Sequence, residues 1–117
     1  MPTPASMGNM STNAPQARFD VDGYLIDPEE WTEELAAALA RKEGIALGER
    51  HWEVIRFMRR SYEERRVAPD SRHVVRHLVE RYGPEARNLL FELFPYGYPG
   101  QACRISGMKR PRAWSTG

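Results

Sequence analysis

Residues that start and stop helices cut the middle of this chain into short segments. Asp27 and Pro28 open a segment that Gly44 ends, Asp70 or Ser71 opens one that Gly83 ends, and Pro84 opens another that Pro95 ends. An aspartate before a proline suits a helix start, because the carboxylate caps free N–H groups and proline fits the first helical position. A glycine past the last turn suits a helix end. Short helices gain little from propensity alone, so each must bury one face against its neighbours.

The spacing of apolar residues identifies those faces. A first helix running from the Asp27 cap to Arg41 and Lys42 carries Trp31, Leu35 and Leu39 at four-residue intervals, and Glu30 completes a capping-box spacing. Its acidic start and basic end suit the helix dipole. A second helix over about 49–66 places Trp52, Ile55, Met58 or Arg59, and Tyr62 on one stripe. A third, ending at Tyr82, turns Val74, Val75, Leu78 and Val79 inward. A fourth covers about 84–94. The second and third, joined by "RVAPD", form a helix-turn-helix-like pair.

Both ends read differently. Residues 1–16, small, polar and proline-containing, read as a disordered leader without the basic start and apolar core of a secretory signal. Asp22-Gly23 between Phe19/Val21 and Tyr24/Ile26 predicts a short N-terminal β-hairpin. From Gly97 onward, Pro99, Gly100, Gly107 and Pro111 predict a flexible arm over 97–117, with one short helix near residues 101–106. The expected fold is mainly α: a compact helical domain over 17–96 with the hairpin before it and the arm behind.

The net charge of +1 conceals a division. Residues 19–49 hold nine acidic and two basic side chains, whereas residues 50–81 hold nine arginines against five acids. Such runs suit solvated helix faces, or a basic surface for an acidic partner or nucleic acid. No apolar run approaches the roughly 18–20 residues of a membrane span. A single cysteine, Cys103, excludes an internal disulfide and a multi-cysteine zinc site, and a cytoplasmic location is the simplest inference.

Few residues suggest chemistry. His73 and His77 stand one helical turn apart, but Val74-Val75-Arg76 lies between them and no third ligand is marked, so no metal is expected. No phosphate-binding or dinucleotide glycine pattern is present, and no cofactor is expected. Arg72, His73 and Arg76 are the candidates for contacting DNA. Trp114 lies in the arm, where nothing local buries it, and can dock on the domain or a partner. Cys103 has two readings. It is a packed, inert apolar residue, or it is a thiol at a helix start beside Arg104, ionised and alkylated at neutral pH at least as fast as a free thiol.

In order along the chain, "DGYL" at Asp22–Leu25, Trp31, "EGI" at Glu43–Ile45, "HWEVIRFMR" at His51–Arg59 with Tyr62, "LFP" at Leu93–Pro95 and "QACRISG" at Gln101–Gly107 followed by Pro111 resemble the DsrC/TusE family of small sulfur-relay proteins, which includes the gamma subunit of dissimilatory sulfite reductase. The resemblance implies a helical domain with a helix-turn-helix-like element. It also implies a mobile arm whose penultimate cysteine carries persulfide sulfur between donor and acceptor proteins, with no membrane involved. DsrC-type members have a second cysteine upstream, and Cys103 matches that one. The family's reactive position is occupied here by Trp114. The resemblance therefore leaves Cys103 as the only candidate sulfur carrier, with Arg104, Lys109, Arg110, Arg112 and Trp114 as docking residues of the arm. Three outcomes follow: a one-thiol relay, a mixed disulfide with a partner or second copy, or a docking or regulatory paralogue anchored by Trp114.

Overall fold

The computed structural model describes residues 17–111. They form four α-helices: α1 (Glu33–Lys42), α2 (Glu49–Arg65), α3 (Ser71–Tyr82) and the short α4 (Leu89–Leu93). A 3₁₀ turn, Pro28–Glu30, precedes α1, another, Pro84–Asn88, precedes α4, and a π-helical turn covers Tyr98–Cys103. Helix α2 packs on α3 and α4, and the Pro84–Asn88 turn folds against α3. None of the helices is long and apolar enough to cross a membrane, among the described residues.

The predicted hairpin reduces to one antiparallel bridge, Phe19 to Leu25, and no strand occurs among the described residues. The backbone explains the shortfall. The type I′ hairpin turn that an Asp-Gly pair favours needs positive φ at both central residues, but of Asp22 and Gly23 only Gly23 has it (φ 87°). The chain instead makes a turn closed by Gly23 N–H donating to Asp20 O (3.0 Å), with the Asp20 carboxylate accepting from the Asp22 and Tyr24 N–H groups.

The first predicted helix is broken in two. Asp27 caps the Pro28–Glu30 turn by accepting from Glu29 N–H, but Trp31 is extended (ψ 139°) and Thr32 then caps α1 afresh by accepting from Leu35 N–H. Trp31 therefore sits between helices, and the inward face of α1 is carried by Ala36 and Ala40, both fully buried. The fourth predicted helix likewise begins as the 3₁₀ turn and becomes α-helical only at Leu89. Helix α3 runs as expected, with Asp70 as its cap.

The core joins Val54, Ile55 and Met58 of α2 to Val74 and Leu78 of α3, Leu90 and Phe94. Each large apolar side chain buried there contributes on the order of 2 kcal/mol. The same cluster takes in Tyr98, Ala102, Cys103, Ile105 and Met108, so the chain remains inside the core well beyond residue 97, where the sequence suggests that an arm begins. Its glycines and prolines shape a packed segment rather than loosening it.

His51 ties α2 to the end of α4. Its Nδ1 accepts from Gly48 N–H (3.0 Å) and its Nε2–H donates to Leu93 O (3.1 Å). The Gly48 bond needs a neutral ring, because a protonated Nδ1 cannot accept, whereas the Leu93 bond survives protonation. Burial holds its pKa below the usual histidine value, with the Leu93 contact opposing in part. The unfolded chain therefore binds a proton before the folded one does, and stability falls as pH drops below about 6.5. In urea titrations, the loss between about pH 6.5 and 5, before the carboxylates titrate, is expected to shrink in His51→Gln. An unchanged pH slope in that variant assigns the loss to other groups.

Candidate functional site

The site is built around the one thiol. Cys103 ends the π-helical turn and is fully buried. The expectation of a thiol at a helix N-terminus is not met, since that turn begins five residues earlier, at Tyr98. Nor does Arg104 face the sulfur. Successive residues of a helical turn point roughly 100° apart, and the Arg104 guanidinium lies over the Tyr24 ring (5.0 Å) against Gly23. Its Nε is buried without a hydrogen-bond partner among the described residues.

Burial pushes the Cys103 thiol up to about 12, offset in part by a hydrogen bond with the Tyr98 phenol. That phenol donates to Pro69 O (2.6 Å), in the turn between α2 and α3. In this closed arrangement Cys103 is a protonated core residue.

The stretch from Tyr98 to Lys109 is fastened to the N-terminal segment, the end of α1 and α2. Tyr24 Oη donates to Pro99 O (3.0 Å). Gln101, also buried, donates to Glu43 (2.9 Å) and accepts from Tyr96 N–H (3.1 Å). Trp31 Nε1–H donates to Ile105 O (2.9 Å). Arg59 Nη1 donates to Ser106 O (3.1 Å) and Gly107 O (3.4 Å), while its Nη2 donates to Pro28 O (3.1 Å). The same guanidinium lies 4.6 Å from the Trp31 ring centre. Gly107 (φ 76°) lies directly on Trp31: a Cβ there would come within 2.4 Å of the indole Cδ1.

Sequence reasoning missed Trp31 and Arg59 as partners of this segment. The signal was an arginine on the apolar stripe of α2, between Ile55 and Tyr62. A charged side chain at such a position marks buried carbonyls that need a donor.

Of the docking candidates, Lys109 pairs with Asp20 (3.4 Å). Lys109 and Arg110 also line a groove of about 350 Å³ whose walls include Ile26, Pro28, Tyr62 and Val67. Arg112 and Trp114, like the leader over 1–16, lie outside the described residues. The three DNA candidates lie on the first turns of α3 in different surroundings. Arg72 is folded back onto Asp70 through two side-chain hydrogen bonds (3.1 Å each). His73 and Arg76 line a cleft between α2 and α3 with Arg60, Arg65 and Glu64. His77 is bonded to Glu53 (2.6 Å) and stacked on Phe57, and no metal-competent cluster occurs among the described residues.

The chain and its helical fold have known counterparts. The model of the DsrC-like protein family matches residues 11–113. The sulfurtransferase TusE of Pectobacterium atrosepticum is 46% identical over 94 residues, covering 79% of this chain and 86% of that protein. TusE of Sodalis glossinidius is 40% identical over 104 residues, covering 87% and 96%. Among structures, the oxidized gamma-subunit of dissimilatory sulfite reductase (DsrC) from Archaeoglobus fulgidus superposes with a TM-score of 0.74 at 40% identity, covering 81% of this chain and 89% of that one. Allochromatium vinosum DsrC gives 0.73 at 36%, covering 85% and 90%. The chain belongs to the DsrC/TusE family of sulfur-relay proteins.

Proposed function

We propose that this protein works in cytoplasmic sulfur relay, docking its C-terminal residues on sulfur-donor and sulfur-acceptor proteins, with Cys103 as the group that receives sulfur. The observation that carries this reading is the family match through the segment holding the chain's only thiol. Transfer then has one form. Cys103, deprotonated, attacks the terminal sulfur of a donor persulfide. A new S–S bond forms at Cys103, the donor's S–S bond breaks, and the donor leaves as a thiolate. Handing the sulfur to an acceptor thiolate reverses these events, and no external oxidant or reductant is needed. A buried S–H cannot attack, so transfer runs from a form in which the segment has lifted.

The test is incubation with a persulfide-loaded sulfurtransferase, followed by intact mass. A gain of about 32 Da per sulfur, reversed by reductant, is expected for the native chain and lost in Cys103→Ser. A chain that binds the donor yet gains no mass overturns sulfur carriage. That result fits a second reading, a docking paralogue without transfer, which the burial of Cys103 and the tryptophan at position 114 favour.

A further inference from the structure

The geometry points to Trp31 and Arg59 as positioning residues that hold the segment after Cys103 shut and so set how often its thiol is exposed. Its relevance to transfer rests on the proposed relay, but exposure itself is measurable without it. The carbonyls of Ile105, Ser106 and Gly107 are all taken by these two side chains. The next amide, Met108 N–H, turns back onto Cys103 O (3.1 Å). The four residues that follow Cys103 are thus closed as one backbone turn, held from outside by an indole and a guanidinium. Arg59 also bonds Pro28 O and lies on the Trp31 ring, so the two fasteners support each other. Arg59 is half-buried, and burial holds its pKa below the usual arginine value, yet the guanidinium stays charged at neutral pH. A charged donor to two carbonyls is a strong fastener, but it is a small number of bonds. A partner offering carbonyls or carboxylates to Arg59 would release the turn without unfolding the helices.

Iodoacetamide alkylation of the folded protein at fixed pH reads the exposure. Arg59→Met and Trp31→Phe are expected to raise the rate on the order of tenfold or more. Arg59→Lys should recover part of the native rate. Arg56→Met, on the same helix but paired to Glu33 at the surface (3.7 Å), should leave it unchanged. Local release exposes little surface, so rates in the two latch variants should depend weakly on low urea. Rates that rise only in step with global destabilisation, with the full urea dependence of unfolding, overturn the latch, as does an unchanged rate in both variants. Should Arg59→Met fail to fold, Trp31→Phe alone decides. Variants that alkylate fast but accept no sulfur keep the latch and refute the relay.

Discussion

At neutral pH the native protein should be alkylated by iodoacetamide on the order of a thousandfold more slowly than a free thiol, the reverse of what a cysteine at a helix start would do. An ordinary thiol ionises near 8.5; Cys103 is pushed up to about 12 by burial. Thiolate is therefore scarce by roughly three orders of magnitude in the closed form, and the reagent has no path to it. The pH dependence carries a second signature. The folded state keeps its proton where the unfolded or opened state loses it. The stability this contributes is complete below about pH 8.5 and is lost as pH climbs towards 12, by about 5 kcal/mol in all. The alkylation rate should accordingly keep rising about tenfold per pH unit above 8.5, where a free thiol levels off. Cys103→Ala should remove the part of the alkaline loss that sets in between about pH 8.5 and 10 in urea unfolding, before the buried tyrosines Tyr24 and Tyr98 contribute theirs. A native rate within tenfold of a free thiol, or a plateau near 8.5, would show that the thiol is already open.

The helices were legible where local chemistry decides them. Asp70 caps α3 and Gly83 ends it because a carboxylate at a helix start and a glycine after the last turn act within a few residues. What long-range packing decides was not. Trp31 has the spacing of a helix face with Leu35 and Leu39, but its indole reaches Ile105, and the chain breaks at Trp31 to allow it. The C-terminal segment was hidden by its own glycines and prolines. Tyr98, Ala102 and Ile105 repeat at helical spacing, and all three are buried; that period was the available signal. The thiol's environment depends on Tyr98, five residues back, and on Pro69 in a distant turn, which no local pattern reveals. Family resemblance left Cys103 as the candidate sulfur carrier, while the physical state of that thiol needed the fold.

Gly107→Ala should be among the most damaging single-methyl additions in the chain, costing about 3 kcal/mol in urea unfolding. Two penalties add. The residue holds φ at 76°, which costs an L-residue roughly 1–2 kcal/mol. Its new Cβ would also meet Trp31 at 2.4 Å from Cδ1 and 2.8 Å from Cβ and Cγ, and overpacking of this kind costs about 1–3 kcal/mol. The indole is fixed by Arg59 on its face and Ile105 O at its edge, so it cannot step aside without breaking those contacts. Gly44→Ala separates the two penalties, because Gly44 shares the positive φ (77°) but has nothing within 4 Å of a Cβ. It should lose only the backbone part, about 1 kcal/mol. Removing the wall should then relieve the clash: Gly107→Ala combined with Trp31→Ala should cost less than the sum of the single changes, a coupling that distant sites do not show. Additive costs, or a Gly107→Ala loss no larger than that of Gly44→Ala, would mean that Trp31 does not hold Gly107 in solution.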